Sequence, residues 1–215
     1  MSEEGISTAT RLNALLAEAR LEPLDPVAAH GFEVYFSLIL RWNSRVNLTA
    51  IRDEEGILTR HFIESIACAR ALPVRIATLL DFGSGAGFPG IPIALCRPEI
   101  AVTLAESQGK KAAFLQEAIR QLGIPVKIHG QRAELLSTAF DCVTLRAVDR
   151  MEMALRAASR LVRPGGWLAP MTTNGELEKV KQAAGAEFSL TRRLPLPGGA
   201  DRVLALGERD LSLPS

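Results

Sequence analysis

The 215-residue sequence predicts an α/β fold: a mostly parallel, doubly wound sheet with an N-terminal helical extension and an antiparallel C-terminal hairpin. Three observations carry that expectation. After Pro73, strand-like and helix-like patterns alternate regularly, as a parallel sheet covered by helices on both faces requires. Ala77-Thr78-Leu79-Leu80-Asp81-Phe82 is a continuous apolar run ending in glycines, which fits a strand buried on both faces. The last two strand patterns are separated by Pro195-Leu196-Pro197-Gly198-Gly199, a link too short for a crossover helix, so they should pair antiparallel.

Residues 8–21 place Leu12, Leu15, Leu16 and Ala19 on one helical face, and Glu22-Pro23 with Asp25-Pro26 stops the helix. From Pro26 to about Val46, Phe32, Tyr35, Phe36, Ile39 and Leu40 recur at three- and four-residue spacing. A third helical pattern runs from Asp53 to Leu72 through Ile57, Leu58, Phe62, Ile63 and Ile66. Residues 1–72 thus read as a helical segment packing on a second unit, residues 73–210. In that unit the strand at 77–82 is followed by helix 89–97, strand Val102–Ala105, helix 109–122 and strand Val126–His129. Strand Asp141–Leu145, helix 151–162, strand Trp167–Met171, a helix near 174–184 and strands near 187–194 and 201–206 complete a seven-stranded sheet. An antiparallel ending of this kind is typical of one doubly wound variety, the Rossmann-like class I methyltransferase sheet.

Composition narrows the function classes. Apolar residues make up 47% and charged residues 23% with no low-complexity tract, so the chain should be globular and ordered. The start, Met1-Ser2-Glu3-Glu4-Gly5, lacks the basic-then-apolar pattern of a signal peptide, so the chain is expected to stay in the cytoplasm. The longest apolar stretch, Phe88 to Cys96, is about half a membrane span and carries two prolines, so no membrane association is expected. Cys68, Cys96, Cys142 and the three histidines are too scattered for a zinc or disulfide framework, so no metal is expected. No long exposed apolar stripe demands a dimer, and a monomer is expected. With a net charge of only +1, any RNA contact must come from local clusters: Lys110-Lys111, Arg146 with Arg150, or Arg192-Arg193.

In such a sheet ligands sit at the carboxyl ends of the strands, and the first strand-to-helix turn is the usual place. Here that turn is Asp81-Phe82-Gly83-Ser84-Gly85-Ala86-Gly87, followed by Phe88-Pro89-Gly90. Gly83, Gly85 and Gly87 permit positive φ and close backbone approach, which suits a nucleoside cofactor. Gly85 to Gly90 also satisfies the dinucleotide pattern G-x-G-x-x-G. The register of Asp81 favours a methyl donor instead: its carboxylate would sit beside a cationic amino-acid moiety and repel a pyrophosphate. S-adenosyl-L-methionine carries such an ammonium. Glu106, ending the second strand, can accept from both ribose hydroxyls of an adenosine, or serve merely as a helix-start acid. After the third strand, Gln131-Arg132-Ala133-Glu134 can meet the adenine edge, with Glu134 accepting from its amino group. Arg146, at the end of the fourth strand, faces the acceptor space; it either holds the donor, presents two donors to guanine, or pairs with Asp149 or Glu106.

What is missing also informs the choice. No Asn/Asp-Pro-Pro-Tyr run follows strand four, and Cys142 lies inside the strand, so neither base-amino methylation nor thiol attack on a pyrimidine is indicated. An acceptor that is already nucleophilic, such as guanine N7, needs no general base, only alignment and exclusion of water.

Six ordered motifs carry a family resemblance: Arg41-Trp42-Asn43-x3-Asn47-Leu48-Thr49-Ala50-Ile51, Arg60-His61-Phe62-Ile63-Glu64-Ser65, Asp81 through Pro92, Glu106-Ser107-x2-Lys110-Lys111-x2-Phe114-Leu115, Arg132-Ala133-Glu134 and Arg146-Ala147-Val148. Over about residues 12–207 the sequence resembles the RsmG (GidB) family of bacterial 16S rRNA guanine-N7 methyltransferases. The resemblance implies methyl transfer from S-adenosyl-L-methionine to N7 of the guanine at position 527, on 16S rRNA or the 30S subunit. It implies donor contacts at Gly83, Phe88, Ala133, Glu134 and Arg146, with Glu106 at the ribose position and Ser107 beside it. It further implies that Asn43, Asn47, Arg60 and His61 face the site as substrate contacts. One departure is Met171-Thr172-Thr173-Asn174-Gly175, where the family usually has Lys-Gly after the fifth strand, so a basic RNA contact is expected to be lost. Two other readings stay open: a nicotinamide-dependent oxidoreductase, from the G-x-G-x-x-G match, and a non-catalytic RNA-binding module of the same fold.

Overall fold

The computed structural model describes residues 6–148 and 150–211; the acidic start and Asp149 lie outside the described residues. Helix α1, Thr8–Glu18, is capped by Ser7, whose hydroxyl accepts from Thr10 N–H. Helix α2, Pro26–Asn43, starts on Asp25, which accepts from the Val27 and Ala28 amides, with Pro26 at the first helical position. The third predicted helix is one rod of uneven winding: α3, Glu54–Gly56, then π-helical turns over Ile57–Ile63, then α4, Glu64–Ala71. Wider turns of this kind commonly mark functional positions, and here they include Arg60 and His61.

Seven strands follow: β1 (Thr78–Phe82), β2 (Ala101–Ala105), β3 (Lys127–His129), β4 (Phe140–Arg146), β5 (Val162–Thr173), β6 (Phe188–Pro195) and β7 (Arg202–Arg209). They lie in the order β3-β2-β1-β4-β5-β7-β6, with β7 antiparallel to both neighbours and the other pairs parallel. The connecting helices are α5 (Gly90–Cys96), α6 (Gly109–Leu122), α7 (Met151–Arg160) and α8 (Leu177–Ala184). The predicted hairpin is present. Strand β5 begins five residues before the predicted Trp167, taking in Pro164-Gly165-Gly166, and the helix before it ends at Arg160 rather than 162. Gly165, at φ 71°, lets the chain turn within that early segment.

Apolar side chains form two cores, one on each face of the sheet. Leu12, Phe32, Tyr35, Phe62 and Ile66 of the helical segment join Leu79, Leu104, Phe114 and Leu206 in the first. The helical segment therefore shares its core with the sheet. Val143, Leu155, Leu168 and Val180 belong to the second, beneath α7 and α8.

Candidate functional site

The chain reverses its order across the sheet between β1 and β4. There the strand ends open a cleft of about 700 Å3, within the usual range for small-ligand sites. Its two walls are built differently.

One wall is the loop between β1 and α5. Gly83, Gly85 and Gly87 have φ of 71°, 58° and 93°, a left-handed region in which a Cβ is strained. Ser84 N–H donates to Ala105 O at 3.0 Å, tying the loop to β2. Gly85 N–H donates to Glu106 Oε2 at 2.9 Å, and Gln108 N–H to Glu106 Oε1 at 2.7 Å. Each carboxylate oxygen keeps a second lone pair, and Glu106 lines the cleft, so it can accept ribose hydroxyls. A Cβ on Gly85 would have only Gly83 O within 4 Å, at 4.0 Å, so that side of the loop is open to a bound group. This cradle and the cleft's size fit S-adenosylmethionine.

Asp81 does not occupy the place the sequence suggests. It is fully buried beneath the loop, accepting from Gly90 N–H at 3.0 Å and Thr144 Oγ1–H at 3.4 Å. Burial pushes its carboxyl up to about 7, against the lowering effect of those hydrogen bonds. The pleat turns its side chain toward α5, where glycine leaves room: a Cβ on Gly90 would lie 2.7 Å from Asp81 Oδ2. Asp81 thus braces the loop instead of meeting a ligand's ammonium. Gly87 also faces inward, since a Cβ there would lie 2.8 Å from the Tyr35 hydroxyl. At the start of α5, Gly90 N–H is taken by Asp81 and Ile91 N–H by Gly87 O, so the amides a pyrophosphate would need are engaged.

The other wall comes from the helical segment and the ends of β4 and β7. Arg146, 9% exposed, sends one guanidinium nitrogen to Glu64 Oε2 and to the Arg60 carbonyl, and the other to His61 Nδ1 at 2.9 Å. A guanidinium only donates, so Nδ1 accepts and His61 carries its proton on Nε2, donating to Thr49 Oγ1 at 2.6 Å. Burial first, then the charges of Arg146, Arg60 and Arg202, lower the imidazole to about 3. The ring stacks on Phe88, centroids 4.8 Å apart, joining the two walls. Glu64 is fully buried and receives Arg146 at 2.9 Å and Arg202 at 3.4 Å, with Arg60 Nε 3.6 Å from Oε1. Its carboxyl stands above the ordinary value, because burial raises it further than the three guanidiniums lower it.

The predicted site residues are therefore only partly brought together. Gly83, Gly85, Phe88, Glu106, Ser107, Ala133, Glu134, Arg146, Arg60 and His61 line the cleft. Arg146 does not offer two free donors to a guanine, because its fork is turned inward onto Glu64 and His61. Of its expected partners, Glu106 is engaged by backbone amides instead, and Asp149 is outside the described residues. Asn43 Oδ1 accepts from the Leu48 and Thr49 amides and so shapes the loop that carries Thr49. Asn47 is exposed and accepts from Arg52 at 2.8 Å; neither asparagine lines the cleft. Cys142 is fully buried in β4. At the Lys-Gly departure, Thr172 and Thr173 donate to Glu176.

Sequence reasoning missed Glu64, Arg202, Thr49 and Tyr35. For Glu64 a signal exists: an acid on an otherwise apolar helical stretch, four residues after Arg60. Arg202, 138 residues beyond Glu64, has none. Tyr35 reads as core, yet its hydroxyl donates to the Ala86 carbonyl in the glycine loop. Around the cleft, Arg60, Lys111, Arg132, Arg146, Arg150 and Arg202 stand against Glu106 and Glu134, giving a basic mouth.

Several known proteins are similar to this chain. The model of the family "rRNA small subunit methyltransferase G" (GidB) matches residues 29–194. The chain is 40% identical over 192 residues to ribosomal RNA small subunit methyltransferase G of Stenotrophomonas maltophilia strain K279a, covering 87% of each. It is 38% identical over 189 residues to the protein of that name from Xanthomonas oryzae pv. oryzae strain KACC10331, covering 86% of this chain and 88% of the relative. Among solved structures, an S-adenosylmethionine-dependent methyltransferase from Aquifex aeolicus superposes with a TM-score of 0.60 at 14% identity, over 76% of this chain and 97% of that one. A predicted O-methyltransferase from Agrobacterium tumefaciens gives 0.58 at 18% identity, over 68% and 80%. These two show the fold, a class I methyltransferase sheet.

Proposed function

We infer, from the premise that the chain belongs to the rRNA small subunit methyltransferase G family, that it methylates N7 of a guanine in 16S rRNA. S-adenosylmethionine supplies the electrophilic methyl group. Gly85, Glu106 and the turn at Ala133-Glu134 form the part of the cleft suited to the donor's adenosine. The observation that carries the choice of acceptor atom is the state of His61. It is the cleft's imidazole, and its one unprotonated nitrogen is occupied by Arg146. Glu64 is sealed behind the arginines, Glu106 serves the loop amides and the ribose side, and Glu134 lies at the adenosine end with Arg132 3.6 Å away. With its basic groups so engaged, the cleft suits an acceptor that attacks without losing a proton first, as guanine N7 does.

Arg146 acts as a positioning residue. Its charge, fixed between Glu64 and His61, keeps the acceptor wall rigid and positive beside the loop. Phe88 under the His61 ring closes the wall against water. The partner is 16S rRNA, presented alone or in the 30S subunit, and the basic mouth of the cleft supports an RNA substrate. A monomer working in the cytoplasm is the simplest form of this reading. The exposed large apolar residues, such as Val27, Val74 and Leu135, are scattered along the chain, and no helix among the described residues is long and apolar enough to cross a membrane.

Labelled donor is incubated with the protein and either 30S subunits or 16S rRNA, and N7 methylation is mapped by borohydride–aniline cleavage. Donor-dependent cleavage at one guanine, at position 527, is expected. Label incorporated without cleavage would move the acceptor to another atom, and no incorporation into either substrate would refute the reading.

A further inference from the structure

A second groove, of about 440 Å3, runs between α8 and β6, with Ala205 of β7 in its floor. In a chain whose net charge is only +1, this groove concentrates cations. Lys181, Arg192 and Arg193 line it with one carboxylate, Glu178, and that carboxylate pairs with Lys181 at 2.7 Å. Both arginines are exposed, and no carboxylate among the described residues forms an ion pair with either.

Neighbouring residues of a strand ordinarily point to opposite faces. Arg192 and Arg193 pair consecutively with Leu206 and Ala205, beyond the slip between Leu190 and Arg192, so their side chains leave opposite faces of β6. Both residues nevertheless contribute to the lining of the groove. It sits at the free edge of the sheet, since among the described residues β6 has β7 as its single neighbour.

Register ties the groove to the cleft. Arg146 pairs with Met171, Met171 with Leu204, and Leu204 with Leu194, the residue after Arg193. Three strand spacings separate the two rows, about 14 Å. An RNA that places a guanine at the cleft therefore has neighbouring phosphates within reach of the groove. One guanidinium on each face of an edge strand suits two successive phosphates, each accepting N–H donors from one arginine.

We propose that Arg192 and Arg193 bind the ribose-phosphate backbone of the substrate rRNA, as an anchoring point separate from the methyl-transfer cleft. The proposal rests on the reading of the protein as an rRNA methyltransferase. Its test compares wild type with R192A/R193A in binding to 16S rRNA over a range of salt concentrations, alongside steady-state methylation of the same RNA. The alanine pair should lower the slope of log K against log salt by about 1.4 to 1.8, the release expected for two phosphate contacts. The KM for RNA should rise about tenfold while the rate at saturating RNA changes less than twofold. Calorimetric affinity for S-adenosylhomocysteine should be unchanged, which also reports an intact fold. R192K/R193K should restore the slope, because counterion release depends on charge. An unchanged slope and KM in the alanine pair, or loss of slope in the lysine pair, would overturn the proposal. A protein that shows the slope change yet transfers no methyl upholds the groove and sinks the activity reading, so the two fail separately.

Discussion

The two walls of the cleft hold their shape by different means. The loop wall is set by backbone: three left-handed glycines, amides fixed on Glu106, and Asp81 bracing from below. The acceptor wall is set by charged side chains, with three arginines converging on one buried glutamate and a neutral histidine between. Apart from Glu106, 21 residues beyond Gly85, the backbone wall is specified within about a dozen residues and tolerates few substitutions. A side-chain wall collects distant residues and depends on its charges balancing.

Breaking the charge balance should have the largest effect. Arg146→Ala leaves Glu64 buried without its closest partner, which should cost about 3–5 kcal/mol of stability and, with the wall disordered, lower turnover by roughly a hundredfold or more. Adding Glu64→Gln should recover much of the melting temperature and none of the turnover. If Arg146→Ala melts like wild type, the acceptor wall is not built on this pair.

The loop wall is probed by Gly87→Ala. Its φ of 93°, and a Cβ 2.6 Å from Ile91 Cδ1 and 2.8 Å from the Tyr35 hydroxyl, combine backbone strain with overpacking. About 2–4 kcal/mol of stability should be lost, with donor affinity falling steeply in calorimetric titration. Normal affinity would mean that the loop adapts and that its geometry is less fixed than its dihedrals suggest.

The walls should also respond oppositely to pH. Asp81, raised to about 7 by burial, contributes stability that is fully present below the ordinary carboxylate value and is lost as pH rises through 7. His61, lowered to about 3, contributes stability that is present above 6.5 and is lost as pH falls toward 3. Between pH 4 and 6.5 the two trends oppose each other, each on the order of 3 kcal/mol at most. In melting experiments across that window, Asp81→Asn should make acidification more destabilising, and His61→Gln should make it less so. Parallel profiles for both variants and wild type would remove these groups as the source of pH dependence.

The smallest effect should come from the contact that bridges the walls through the core. Tyr35→Phe removes the donor to the Ala86 carbonyl, which should cost about 1 kcal/mol and weaken donor binding several-fold with little change in the rate at saturating donor. An equal loss in both parameters would point to a wider disturbance of the aromatic cluster around Phe62 and Phe88.

Much of this protein is legible without coordinates. The alternation after Pro73, the glycine loop and the short final link each depend on residues close in sequence, where periodicity and turn chemistry act directly; all three are present in the fold. Gly85 and Glu106 were readable as neighbours in one cleft because each ends or follows a strand, and strand ends in a doubly wound sheet converge. The direction of Asp81 was not legible, because whether a strand-end carboxylate faces ligand or core depends on the pleat and on the room Gly90 leaves. Nor was the π-helical winding over Ile57–Ile63, which a periodic apolar pattern does not separate from an ordinary helix. Beyond the local Arg60–Glu64 pair, the convergence of Arg146 and Arg202 on Glu64 was decided by tertiary structure alone. These residues lie on the helical segment, β4 and the start of β7, and only the sheet order, with the helical segment packed on one face, brings them to a single carboxylate.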